Sequence, residues 1–180
     1  MEALKEWATV VKALENGDQT VLLRKGGILE TASGFKIESK KFLLFPTFEH
    51  QESNHIKTPF QKYLEQVKNQ QPQNGTNSIT SYAEVLDEVD ISSDKVMELS
   101  DFHILSDSYI QERRNWKPEK PIKAIFLRVF KITEQKIPLK SEYQGCKSWI
   151  NINEEIPVGE SVLSDAEIDS RLKKFKEIVN

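Results

Sequence analysis

The run from Ile122 to Ile132 constrains the fold of this chain more than any other segment. Successive residues of a strand point to opposite faces. Here Ile122, Ala124, Phe126 and Phe130 share one face while Ile125, Leu127 and Val129 share the other. A strand apolar on both faces belongs in a sheet that is covered on both sides. The chain has 180 residues, enough for one domain with a core of its own. Its one cysteine rules out a disulfide framework, and the sequence holds no Cys/His cluster for a structural zinc. No stretch approaches the ~18 apolar residues that span a bilayer. The N-terminal segment also lacks the apolar stretch of a signal peptide. A soluble cytoplasmic protein with no membrane partner is expected.

The remaining pattern alternates irregularly between helix and strand. Leu4, Trp7, Val11 and Leu14 recur at helical spacing and predict a first helix ended by Gly17. Gln19 to Arg24 reads as a short strand, and Phe42 to Phe45, stopped by Pro46, as a buried one. Phe60, Tyr63, Leu64 and Val67 predict a second helix started at Pro59. Residues 69–78 read as a polar loop; the Asn74-Gly75 pair could make a hairpin turn, but no strand pattern precedes it. Ser81 and Glu84 have capping-box spacing and predict a short helix to about Leu86, followed by an acidic solvated stretch from Asp87 to Asp94. Phe102 and Ile104 suggest a strand, and Ser108 with Gln111 another helix start. Residues 135–145 read as a connection, and Trp149, Ile150 and Ile152 as a strand. Ser164 with Glu167 predicts a capped final helix, buried along Ile168, Leu172, Phe175 and Val179. The fold class is α+β. It is expected as a single domain over residues 1–180, with a helical or loop insertion at about 54–100. Its mixed or mostly antiparallel sheet, open or partly closed into a barrel, is flanked by helices.

Six groups of residues could carry chemistry. Arg128 sits between Phe126 and Phe130 on the strand expected to be most buried, so its guanidinium must meet either a carboxylate or an anionic ligand. Arg24-Lys25-Gly26-Gly27 ends a strand with two cations and two glycines, which suits an anion or an ordinary turn. Phosphate-loop spacing is absent. Glu49 and His50 follow a core strand and could serve as general base, with Gln51 as a hydrogen-bond donor. Glu38-Ser39-Lys40 has the carboxylate–lysine spacing of a metal-dependent nuclease, with Glu49 as a further metal ligand. Cys146, beside Lys147, could act as a nucleophile with His50 as base, or be a small buried thiol. Trp149 belongs to the same segment as a candidate ligand contact. Arg113, Arg114 and Trp116 could stack a base and hold a phosphate.

Taken together, these motifs resemble a bacterial family, domain of unknown function family 1802. The resemblance rests on Ala3 to Trp7, Leu23 to Ile28, Phe42 to Thr47 with Glu49-His50-Gln51, Arg113 to Pro118, Leu127-Arg128-Val129, and Gly145-Cys146 with Ser148-Trp149. It covers nearly the whole chain and implies that these polar residues are shared features, without implying an activity or a cofactor.

The charge count, 25 Lys+Arg against 28 Asp+Glu, gives a net charge of −3 and argues against a generally basic nucleic-acid binder. It leaves room for a local basic cleft. The reading is therefore a site for an anionic ligand, nucleic acid or a nucleotide. Arg24, Lys25 and Arg128 would hold it, Arg113 or Arg114 would assist, and Glu49, His50 and Gln51 would recognise it or move protons. A hydrolase, through Cys146 or a metal on Glu38 and Glu49, is the alternative. A non-catalytic protein–protein adaptor is the third.

Overall fold

The computed structural model describes residues 1–26, 34–92, 94–155 and 157–180. Gly27, one of the candidate anion contacts, lies outside the described residues. The elements run β1 (Glu2–Trp7), α1 (Ala8–Glu15), β2 (Val21–Arg24), β3 (Lys41–Thr47), α2 (Gln61–Lys68), β4 (Thr76–Ile91), α3 (Asp107–Asn115), β5 (Ile122–Pro138), β6 (Trp149–Asn151), β7 (Glu160–Ser161) and α4 (Asp165–Val179). Among the described residues one sheet forms, in the order β2-β5-β4-β3-β1-β6, with β7 joining β5 on the edge away from β4, beyond the end of β2. All pairs are antiparallel except β1 with β3. The class is α+β, as the pattern predicts. The sheet is open rather than closed into a barrel. Arg24 at the end of β2 donates to the Glu6 carboxylate of β1 and to Ser148 just before β6, which links the two sides of the sheet.

The run that opened the sequence reading forms most of β5, which pairs with β2, β4 and β7. Ala124, Ile125, Phe126 and Leu127 are all essentially inaccessible. β3 shows the alternation most clearly: Phe42 and Leu44 join the larger core, and Leu43 and Phe45 the smaller. The larger core includes residues of α1, α3 and α4, among them Phe175. The smaller is built around Ile79, Tyr82, Tyr143 and Ile150.

Three local expectations are overturned, each by tertiary pairing. Residues 2–7 form a strand, not the start of a helix. β1 lies between β3 and β6, and its successive residues Ala3 and Leu4 enter different cores. Helical spacing over residues 4–14 was satisfied instead by a strand followed at once by α1. The predicted helix at residues 81–86 is part of β4, within the stretch expected as an insertion. The Ser81 hydroxyl that would have capped that helix donates to the buried Glu15 carboxylate, and Glu84 meets Lys41 across the ladder at 3.1 Å. Phe102 ends a 3-10 helical segment (Lys95–Phe102) rather than lying in a strand, while Leu105 makes a lone bridge to Ile56. The acidic residues Asp87 and Asp90 extend β4, so part of that stretch is sheet.

Asn74 and Gly75 both have positive φ (55° and 69°), the conformation of a type I′ turn, and join the Gln73–Thr76 bridge that leads into β4. The predicted capping box is present: the Ser164 hydroxyl accepts from the Glu167 backbone, and the Glu167 carboxylate accepts from the Ser164 backbone.

Candidate functional site

A cleft of about 1060 Å³ opens where the ends of β1, β2 and β3 meet α3 and the segment entering β6. Its chemistry begins with Arg24. The guanidinium donates to the Glu6 carboxylate at 3.0 Å and to the Ser148 hydroxyl at 3.0 Å, with a longer contact to the Lys5 carbonyl at 3.4 Å. The second Glu6 oxygen accepts from the Trp7 backbone at 2.8 Å. This ion pair is shallowly exposed to the cleft, with 20% of the Arg24 side chain and 11% of the Glu6 side chain accessible.

Above it lies an aromatic group. His55 stacks on Trp7 with ring centroids 5.4 Å apart and 11° between planes, and Tyr109 tilts against both. Trp7 and Tyr109 line the cleft, while the half-buried His55 stacks on the indole without lining it. Burial is the main influence on the Tyr109 hydroxyl and raises its pKa; Arg113 and Arg24 act against the rise, and Glu6 adds to it.

Lys5 forms the opposite wall. Its ammonium donates to the carbonyls of Tyr143 (2.9 Å) and Gly145 (2.8 Å), holding the segment before β6 against β1. Burial lowers its pKa; Glu49 and Cys146 oppose that, and Lys147 reinforces it. Lys25 is 3% exposed and donates to the carbonyls of Arg113 (2.9 Å) and Arg114 (2.8 Å). It therefore caps the C-terminal end of α3, where a cation also complements the helix dipole. Burial, and then the neighbouring Arg113, lowers its pKa. Lys25→Met should lower the unfolding free energy by about 2 kcal/mol, because two carbonyls lose their donor. Urea denaturation measures this, and unchanged stability would remove the capping role.

The structure gathers Arg24, Lys25, Gly26, Glu49, His50, Arg113 and Cys146 around this one cleft. His50 adopts a left-handed backbone (φ 62°) just beyond β3 and is exposed, as is Glu49. Cys146 is exposed rather than a buried thiol. No hydrogen bond joins Cys146 to His50 among the described residues. Nor, among those residues, do three His, Cys, Asp or Glu side chains converge as metal ligands would; Lys40 is paired with Glu88 instead.

Four candidates lie elsewhere. Arg128 donates to Ser161 (2.9 Å) and Asp165 (2.6 Å), fastening β7 and α4 to β5, so the carboxylate alternative for this arginine is the one observed. Gln51 accepts from the backbone and hydroxyl of Thr9 (2.9 and 2.7 Å), supplying the acceptor that α1 lacks at its own N-cap. Arg114 contacts Gln111 (3.1 Å) and Asp94 (3.6 Å). Trp149 is a core residue, packed between Phe35 and Phe42 with its indole N–H on the Lys36 carbonyl.

Lys5, Glu6, Trp7, Tyr109 and Lys147 are cleft residues that sequence reasoning did not single out as site residues. The usable signal was Lys5-Glu6-Trp7 at a strand end, concealed by the helical spacing that assigned Trp7 to a core stripe.

The fold and cleft define an α+β protein with a basic, aromatic-walled groove at one end of an open sheet. The family model for Domain of unknown function (DUF1802) matches residues 3–174, and the chain belongs to that family. Among solved structures, the chain is similar to the crystal structure of ASCH from Zymomonas mobilis, at 13% identity over 96% of this chain and 93% of that one, with a TM-score of 0.47. Two point variants of the same Zymomonas mobilis protein give 12% and 13% identity and TM-scores of 0.49, covering 97% and 96% of this chain and 94% and 96% of theirs. No curated protein matches the chain. Among the described residues no helix is long and apolar enough to cross a membrane.

Proposed function

We propose that the cleft binds single-stranded nucleic acid. The observation that carries this reading is the charge of the lining. Five cations (Lys5, Arg24, Lys25, Arg113 and Lys147) line the cleft against two carboxylates (Glu6 and Glu49), with Lys25 buried behind the surface at the end of α3, in a chain whose net charge is −3. Local positive charge beside accessible aromatic rings suits a phosphate backbone with bases stacked on side chains. Trp7 and Tyr109 supply those rings. A duplex, whose base faces are already stacked on one another, could not use them. Arg113 also lies 4.7 Å over the Trp116 ring, with Lys117 at 4.8 Å, extending the basic and aromatic character along the end of α3.

Fluorescence anisotropy with labelled RNA and DNA of about 12 nucleotides, single-stranded and hairpin, tests this reading, because such sites span roughly 4–16 nucleotides. Single strands should bind more tightly than hairpins, with affinity falling as salt rises. Arg113→Glu combined with Lys147→Glu should weaken binding at least about tenfold and flatten the salt dependence by about one unit of log–log slope or more. Arg113 is half-buried and Lys147 exposed, so thermal unfolding should change little. Absence of binding to every oligonucleotide, or full affinity in the double variant, would refute the proposal. Binding of a mononucleotide as tight as that of the oligonucleotide would reassign the cleft to a free nucleotide.

A further inference from the structure

Resting on that reading, we propose that the base seated against Trp7 is guanine, read along its Watson–Crick edge by the Glu6 carboxylate. A carboxylate is an unusual group to find at the bottom of a cleft whose other charges are mostly positive. It has about four lone-pair positions. The protein uses one on each Glu6 oxygen: Oε1 accepts from the Trp7 backbone at 2.8 Å and Oε2 from Arg24 at 3.0 Å. One lone-pair position on each oxygen therefore remains, on a side chain that lines the cleft.

Base chemistry then selects the ligand. Guanine presents two neighbouring donors on its Watson–Crick edge, the ring N1–H and the exocyclic amine. Adenine, cytosine and uracil each present a single donor group there, beside an acceptor that would face the carboxylate and be repelled. Guanine also carries O6 next to those donors, and suitable donors for it stand alongside Glu6. Arg24 makes three hydrogen bonds with its five N–H groups, so two lack a partner among the described residues. The Tyr109 hydroxyl makes no hydrogen bond among the described residues and is close enough to Glu6 and Arg24 to feel both charges.

Stacking fixes the plane of the base. His55 stacks on the Trp7 indole and Tyr109 packs at 5.1 Å with a 43° tilt, so the ring is held in place while it still lines the cleft. The hydrogen bond from the Trp7 backbone to the Glu6 carboxylate ties acceptor and platform together.

The test changes the ligand and leaves the protein intact. Unstructured oligonucleotides with one central guanine in a uridine background are compared with the same sequences carrying inosine, adenine or cytosine at that position. Inosine keeps O6 and N1–H and lacks only the exocyclic amine. The guanine oligonucleotide should bind about tenfold more tightly than the inosine one, and at least that much more tightly than the adenine one. Glu6→Gln replaces one acceptor with a donor and should abolish the guanine–inosine difference. Because it also disturbs the Arg24 pair, its folding is checked by circular dichroism, and the wild-type comparison decides the matter if it unfolds. Equal affinity for all four oligonucleotides would overturn the guanine assignment and leave nucleic-acid binding standing. No binding to any of them would overturn both.

Discussion

Phe126→Ala should destabilise the protein by about 3–5 kcal/mol, the usual cost of deleting a fully enclosed aromatic ring. Phe126 is inaccessible to solvent and lies at the meeting point of three elements. Its ring is 5.5 Å from that of Phe175 on α4 and 6.4 Å from that of Phe102 in the 3-10 segment, and those two rings are 6.2 Å apart. Along the ladder it faces Val21 of β2. Removing the ring leaves a cavity that three packed elements cannot all close, so the cost exceeds simple transfer. Against a typical total of about 5–15 kcal/mol, such a loss is a large share of the stability. The consequence reaches the cleft, because β2 carries Arg24 and leads into Lys25. Urea denaturation should show a lower midpoint with an unchanged slope; a shift worth less than about 1 kcal/mol would mean that the three-ring cluster repacks freely.

Acidification should destabilise the fold well before most carboxylates titrate, through His103. This imidazole is 3% exposed, and its Nδ1 accepts from the Leu105 backbone at 3.2 Å. Burial, then the nearby Lys57 ammonium, lowers its pKa from 6.5 to about 3. The lowered value means that the unfolded chain binds a proton that the folded chain refuses. Stability is therefore retained above about pH 6.5 and is lost as pH falls from there towards 3. Between about pH 7.5 and 4.5 the loss should be on the order of 3 kcal/mol, at 1.36 kcal/mol for each pH unit below the unfolded pKa. Lys57 reinforces the effect because its ammonium also donates to the His103 carbonyl at 2.8 Å and stays close to the ring. Chemical denaturation at the two pH values, with His103→Gln as the control, measures it. The variant should lose most of the pH dependence; an equally steep dependence in both proteins would place the proton uptake elsewhere.

How far the chain could be read depended on where each residue finds its partners. β5 was legible because apolar side chains on both faces leave no arrangement but a covered strand. α4 was legible because its capping box closes within four residues, Ser164 to Glu167, and needs nothing from the rest of the molecule. That Arg128 must meet a negative partner followed from the cost of leaving a guanidinium unpaired, but the sequence did not choose between a ligand and a carboxylate, and only the structure supplies Asp165.

The failures share one cause. Leu4, Trp7, Val11 and Leu14 satisfy a helical period, yet β3 and β6 offer residues 2–7 ladders on both sides, and those hydrogen bonds outweigh a weak local preference. Ser81 and Glu84 carry a genuine capping pattern that Glu15 and Lys41 divert into the sheet. Polar residues marked as candidates also turned out to serve distant helix ends: Gln51 caps the start of α1, and Lys25 the end of α3 while also lining the cleft.

By itself, then, the sequence determined the class, the central strand, the final helix and a near-neutral total charge, because those depend on local pattern and composition. Only the tertiary structure decided that the charges separate. It brings the ends of β1, β2 and β3, α3 and the approach to β6 to one place, and so collects five cations beside Glu6, Trp7 and Tyr109. No local pattern contains that information, since it resides in the order of strands across the sheet.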